Sequence, residues 1–208
     1  MTQEEFINEL DIEGYSYEIE GDKIVVTIKG SVWLNSLTSI PPGVVFRNKG
    51  NVYLRFLTSL PPGVEFKNGG YVDLNSLTSL PPGVVFRNKG DVWLQSLTSL
   101  TPDVEFRNKG DVYLKSLTSL TPDVEFNNTG DVGLNYLTSL PPGVEFKNGG
   151  GVKLNSLKSL PPGVEFNNRG VVGLNSIIDG EFDDWKGNIK GIEPKVLLNG
   201  MIKRGIFL

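Results

Sequence analysis

Twenty-four carboxylates and twenty lysine or arginine side chains, with neither a histidine nor a cysteine, bound the chemistry open to this chain. Without imidazole or thiol there is no nucleophile–histidine pair, no thiolate or imidazole metal ligand and no disulfide. What remains is carboxylate chemistry. Asp103 and Asp123 lie twenty residues apart, and Asp183-Asp184 form an acidic pair near the C-terminus. Carboxylates so placed could hold Ca²⁺ or flank a glycosidic bond. Asp after proline, however, is a turn residue that bonds local backbone. Glu65, Glu105, Glu125, Glu145 and Glu165 recur in a regular motif rather than as isolated departures within a cleft. The chain therefore reads as a non-enzyme without metal or cofactor. A file of threonines (Thr38, Thr58, Thr78, Thr98, Thr118 and Thr138) is reminiscent of ice-binding arrays, but serine follows each threonine directly and Lys158 ends the file. Two ranks at alternate strand positions, which such arrays use, are therefore missing.

Recognition is the other chemistry on offer. At twenty-residue spacing stand Trp33, Tyr53, Asp73, Trp93 and Tyr113, then Gly133, Lys153 and Gly173. Beside them on the same face run Asn35, Arg55, Asn75, Gln95, Lys115 and Asn135. An exposed aromatic strip edged by polar and cationic groups has the composition of an interaction surface. Trp33, Tyr53, Arg55, Asp73, Trp93, Gln95, Tyr113 and Lys115 are the candidate partner-binding residues. A second reading stands beside it, a stacked ladder that stabilises the strands by about 0.5–1.5 kcal/mol per pair without any partner. Confinement of the aromatics to one half of the chain is unexplained by a ladder alone. Phe56 and Tyr136 replace a recurring serine, and either fill local gaps or extend the surface.

The elements that position these columns come from a repeat. Seven times over residues 31–170 the chain spells a unit close to Asp-Val-Tyr-Leu-Asn-Ser-Leu-Thr-Ser-Leu-Pro-Pro-Gly-Val-Glu-Phe-Lys-Asn-Lys-Gly. A period of this kind marks a solenoid, whose coils bury their apolar side only by stacking. Val32 to Val172 and Leu34 to Leu174 make two invariant columns two residues apart, as do Val44 to Val164 and Phe46 to Phe166. A step of two is strand periodicity, so each coil holds two short strands that pair in parallel with the next coil. Between them, the three-residue step of Leu37 and Ile40 suits an irregular or 3₁₀-like bend. Pro42 and its equivalents turn the chain. Asn48 and its equivalents, in Asn-x-Gly turns, are expected to bond the neighbouring coil's backbone.

The expected fold is thus mainly β, a parallel solenoid of about eight twenty-residue coils with short helical caps at both ends. Residues 1–30 form an acidic N-terminal cap, with a Thr2/Glu5 capping box, Phe6, Ile7 and Leu10 on a short helix, and strands about the Gly21-Asp22 turn. Ile24 and Val26 run in phase with Val44 and Phe46. The repeats span 31–178. Residues 179–208 form a C-terminal cap with a helix from Pro194 that carries Val196, Leu197, Met201 and Ile202. The first thirty residues hold eight acids against two bases, while the whole chain carries −4. That acidic end either docks on a basic partner or serves as a solvated cap that resists end-to-end stacking. Arg47, Lys67, Arg87, Arg107 and Lys147 share a face with the glutamates two residues earlier, which argues against nucleic-acid binding. No long apolar run and no signal-peptide pattern are present, so a cytoplasmic, non-membrane protein is expected. Pairing between rod ends or edges leaves room for a homo-oligomer.

Residues 57–64 and 77–84, Leu-Thr-Ser-Leu-Pro-Pro-Gly-Val, resemble the Leu-x-x-Leu-Pro core of bacterial short leucine-rich repeats. The second apolar pair, Val-x-Phe, departs from that pattern towards a β-solenoid. The arrangement from Phe6 and Tyr15-Ser16-Tyr17 to Asp184-Trp185, Asn188-Ile189 and Leu197-Leu198-Asn199 also resembles repeat proteins of bacteriophage and bacterial genomes. Leucine-rich repeats imply protein binding through exposed strand residues, which fall here on Trp33, Tyr53, Asp73, Trp93 and Tyr113. The expected function is a protein-interaction module, with a phage-encoded inhibitor of a host defence protein as a natural specialisation. A structural spacer or virion component, or a carbohydrate-binding solenoid, is the alternative.

Overall fold

Thr2 accepts the Glu5 amide through its hydroxyl at 3.1 Å, and Glu5 accepts the Thr2 amide at 2.7 Å. This reciprocal box satisfies two amides that a helix start leaves free and opens α1 (Gln3–Ile12). Phe6 and Leu10 of α1 are fully buried and plug the end of the core against Ile24 and Val26. A hairpin follows, β1 (Tyr17–Glu20) and β2 (Lys23–Val26), turning through Gly21 at φ +65°. β2 then pairs in parallel with β4 (Val44–Phe46), Ile24 against Val44 and Val26 against Phe46. The N-terminal cap grades into the first coil in the expected phase.

The computed structural model describes residues 1–122, 124–174 and 176 and is a mainly β, parallel solenoid. A front sheet of eight strands begins at β3 (Val32–Trp33) and ends at Val172–Gly173. A back sheet of nine strands begins with the hairpin and ends at Glu165–Phe166. Every repeat strand pairs with the residue twenty positions away, as in Val32 with Val52 and Phe46 with Phe66. Seven complete coils and the front strand of the next are seen, where about eight coils were expected. Asp123, the pair Asp183-Asp184, and the cap and helix expected over 179–208 lie outside the described residues.

Between the sheets the Val, Leu and Phe columns form one continuous core. Seven phenylalanine rings stack down it from Phe46 to Phe166, 5.2–5.5 Å apart and within 16° of parallel. Burial contributes about 1.5–3 kcal/mol for each such ring. The bend after each of the first seven front strands is closed by a three-residue bond, as from the Leu57 amide to Leu54 O at 3.0 Å. That is the 3₁₀-type geometry the spacing indicated. The proline turn needs a left-handed residue, supplied by glycine at φ +75° to +77° in five coils and by Asp103 at +62° in a sixth.

Buried asparagines hold the opposite turn. Asn108 Nδ2 lies 3.1 Å from Gly90 O, 2.9 Å from Gly110 O and 3.4 Å from Asp111 O, and its counterparts from Asn48 to Asn148 repeat the pattern. This is the cross-coil backbone role expected of the column. Coils approach so closely here that a Cβ on Gly110 would sit 2.5 Å from the Asp91 amide nitrogen. On the outer back face, ion pairs link residues two apart, Lys67–Glu65 at 2.5 Å, Arg107–Glu105 at 2.6 Å and Lys147–Glu145 at 2.6 Å, and Arg47 reaches past β2 to Glu20 of β1 at 2.7 Å. Lys23 reaches across the strand of Val45 to Glu65 at 2.8 Å. The two cations hold the Glu65 carboxyl at about 2. Among the described residues no helix is long and apolar enough to cross a membrane.

Candidate functional site

The outer face of the front sheet carries the candidate residues, because the position between inward Val and Leu must point out. Trp33 is 54 % exposed, Tyr113 is exposed, and Tyr53 and Trp93 are half-buried. Trp33 and Tyr53 stack at 3.6 Å and 12°. Trp93 meets Tyr113 edge-on at 6.4 Å and 79°. Arg55, Gln95 and Lys115 are exposed beside them. The structure thus brings seven of the eight candidates together on one exposed or half-exposed face.

Asp73 is the correction. Expected within an exposed strip, it is 1 % exposed, and Tyr71 meets the rings on both sides of it. Tyr71 stacks on Trp93 at 4.8 Å and 12° and meets Tyr53 edge-on at 5.1 Å and 83°. It thereby bridges the gap that Asp73 leaves in the column. The Asp73 carboxylate accepts from the Asn75 amide at 3.2 Å and from Arg55 Nε at 3.3 Å, so the buried charge is paired. The aromatic stack is therefore continuous, running Trp33, Tyr53, Tyr71, Trp93, Tyr113. Burial, with the neighbouring Tyr53 hydroxyl, pushes the Tyr71 phenol up to about 12. Burial and the Asp111 carboxylate, 3.0 Å away, do the same for Tyr113.

Reading the sequence by columns missed Tyr71, although a signal was there. Its column otherwise holds Ser31, Asn51, Asp91, Asp111 and Asp131, polar residues that clip consecutive coils, before it passes to Gly151 and Val171. Ser31 Oγ accepts the Asn51 amide at 3.0 Å and Asn51 Oδ1 the Tyr71 amide at 3.0 Å. Asp91 accepts the Asp111 amide at 2.9 Å, Asp111 the Asp131 amide at 2.7 Å, and Asp131 the Gly151 amide at 2.7 Å. The Tyr71 hydroxyl lies at the far end of its ring, among the aromatics of the stack, and among the described residues no such bond reaches the Asp91 amide. The third coil has exchanged its two outward residues, Tyr-Val-Asp for Asp-Val-Tyr.

Beyond Tyr113 the ladder stops at Gly133, and the face opens into a groove of about 510 Å³ lined by Gln95, Tyr113, Lys115, Gly133, Asn135 and Tyr136. Phe56 and Tyr136, the two replacements of serine, are 56 % and 55 % exposed, so neither fills an internal gap. Three of the six threonine hydroxyls are engaged internally: Thr58 donates to Thr38 O at 3.1 Å, and Thr98 and Thr118 to the preceding threonine carbonyl at 3.2 Å each. Among the described residues no group of three or more carboxylates gathers as a metal site would require.

Fold and face together define a parallel β-solenoid of twenty-residue coils with an aromatic stack on its front sheet. No protein-family model, curated protein or solved structure matches the chain.

Proposed function

We propose that this protein is a non-enzymatic protein-interaction module, a rigid rod whose front face docks on a protein partner. The observation that carries the reading is the exposure of Trp33 and Phe56, more than half of each side chain lying open to water beside Arg55. Large exposed aromatics with an arginine are the residue types that dominate binding energy at interfaces. The exchanged pair Tyr71 and Asp73 adds support, since it interrupts the polar ladder with no evident gain in stability, and such breaks gather where function is served. The acidic N-terminal cap is a second contact surface in this reading. The leucine-rich-repeat-like motif agrees with protein binding. The resemblance of the chain's whole arrangement, from Phe6 to Leu197-Leu198-Asn199, to repeat proteins of bacteriophage and bacterial genomes makes inhibition of a host defence protein, in the host cytoplasm, the specialisation we put forward.

The mutual stacking of the rings favours a second reading, a structural spacer whose aromatics stiffen the rod. Capture from host lysate by the wild type and by a Trp33→Ser/Phe56→Ser variant separates the two. Serine already stands at 36 and at 76 in the column of Phe56, and the column of Trp33 already takes Asp73, Gly133 and Lys153, so the variant keeps the fold. A protein held by the wild type and lost by the variant at unchanged Tm supports the interaction reading. Equal capture by both, or capture of nothing but further copies of the chain, overturns it.

A further inference from the structure

The sixth coil, residues 131–150, breaks the repeat twice within four residues. Gly133 stands where four of the first five coils carry Trp or Tyr, and Tyr136 stands where Ser36, Ser76, Ser96, Ser116 and Ser156 recur. Nothing in the fold asks for glycine at 133. A Cβ there would meet only Val112 O at 3.6 Å and Tyr113 Cδ1 at 4.0 Å, ordinary contact, and the backbone is extended strand. Glycine inside a strand weakens it, and its common use is to let another molecule come close to the backbone. Tyr136, in turn, projects into solvent without joining the core. One change lowers the floor of the groove and the other raises its wall, on the same face of the same coil.

The lining selects the ligand class. Tyr113 is the last ring of the stack, with Trp93 on one side and Gly133 on the other, so one flank faces the groove. Gln95 and Asn135 supply neutral amides, which both donate and accept. Asn135 Oδ1 already accepts from Asn155 Nδ2 at 2.8 Å, which leaves Asn135 to serve a ligand as a donor. Lys115 is the single charge in the lining, so a cationic ligand would find no counter-charge. Aromatic walls attract polarised C–H edges, and interleaved amides match vicinal hydroxyls. At about 510 Å³ the groove is within the range of small-ligand sites and open enough for a chain to run through.

We infer that the groove between Tyr113 and Tyr136 binds a short oligosaccharide, a pyranose ring lying over Gly133 against the tyrosines, its hydroxyls bonded to Gln95 and Asn135, and an acidic substituent reaching Lys115. This site is distinct from the Trp33 and Phe56 end of the face, and it stands whether or not that end binds a protein.

An array of neutral and uronate-bearing oligosaccharides, followed by titration calorimetry of the best of them, tests the assignment on the full chain. Gly133→Tyr and Tyr136→Ser each restore a residue the repeat uses elsewhere, so both keep the fold, as circular dichroism and melting will check. The expected result is wild-type binding with Kd of about 0.1–1 mM, weakened at least about tenfold by either variant. Lys115→Gln lowers affinity for acidic sugars alone, and Trp33→Ser/Phe56→Ser leaves it unchanged. Absence of binding by any sugar of the array at about 5 mM overturns the assignment. So does an affinity that Gly133→Tyr leaves within about twofold, or selection from a random peptide library of a ligand that Gly133→Tyr abolishes while no sugar binds.

Discussion

Tyr71 and Asp73 have exchanged places relative to the repeat, and the structure states what exchanging them back should do. Tyr71→Asp alone removes a stacked contact to Trp93 and an edge contact to Tyr53, together about 1–3 kcal/mol. It also opens the paired Asp73 to water beside a second carboxylate, and regains one ladder bond to the Asp91 amide of about 1 kcal/mol. The net is a loss of about 1–3 kcal/mol. Asp73→Tyr alone forces a second tyrosine beside Tyr71 and leaves Arg55 without its partner, which costs about 1–3 kcal/mol by overpacking. The double variant Tyr71→Asp/Asp73→Tyr restores both columns at once. It keeps a continuous aromatic stack and completes the polar ladder from Ser31 to Gly151. It should therefore be at least as stable as the wild type, with a coupling of about 3 kcal/mol between the two positions. Denaturant unfolding of the four proteins, read by tryptophan fluorescence and by circular dichroism, measures the cycle. Coincidence of the two probes matters, because stacked coils can unfold in parts. Additivity within about 0.5 kcal/mol, or a double variant weaker than either single one, would refute the reasoning.

Three further expectations follow from the same structure. Glu65 is held at about 2 against an ordinary 4.5 by Lys23 and Lys67, so its contribution is complete above pH 4.5 and is lost as pH falls towards 2. Discounted for the water around both lysines it amounts to about 1 kcal/mol. Between pH 6 and pH 3 the wild type should lose rather more than half of that beyond what Glu65→Gln loses, and parallel losses on acid titration would contradict the ion-pair account. Asn108→Leu strips the bonds to Gly90 O, Gly110 O and Asp111 O and should cost about 2–4 kcal/mol in chemical denaturation. A loss under about 1 kcal/mol would show that water replaces the amide. Asp103→Gly relieves a left-handed aspartate at φ +62° and should raise stability by about 0.5–1 kcal/mol, whereas Gly63→Ala should lower it by about 1–2 kcal/mol. Equal effects of the two on Tm would argue against backbone strain.

Most of the scaffold was legible because inward columns obey packing alone. Valine and leucine two apart, then valine and phenylalanine two apart, admit one pleat and one register once the period is twenty, and Asn-x-Gly marked the turn that the buried asparagines hold. The Thr2/Glu5 box and the phase of Ile24 with Val44 were equally local facts. The outer face was harder, since an outward side chain is placed by its neighbours on other coils. Asp73 shared a column with Trp33 and Trp93 and so looked exposed, while Tyr71 sat in a polar column and escaped notice. Only the pairing of coils shows the tyrosine meeting the rings on both sides of the aspartate. Gly133 and Tyr136 were visible as departures, but that they border one groove depends on where Tyr113 and Gln95 lie across the sheet.

The N-terminal hairpin has a consequence for how the chain is made. Its second strand, β2, is a finished edge in the register that the first coil needs, and α1 already seals the core behind it. During synthesis this segment leaves the ribosome before the coils that stack on it. Each later coil then finds its partner only twenty residues upstream, so the loop closed at every step is short and constant. The molecule can grow as a crystal grows on a seed, one layer at a time, with no need to await its distant end.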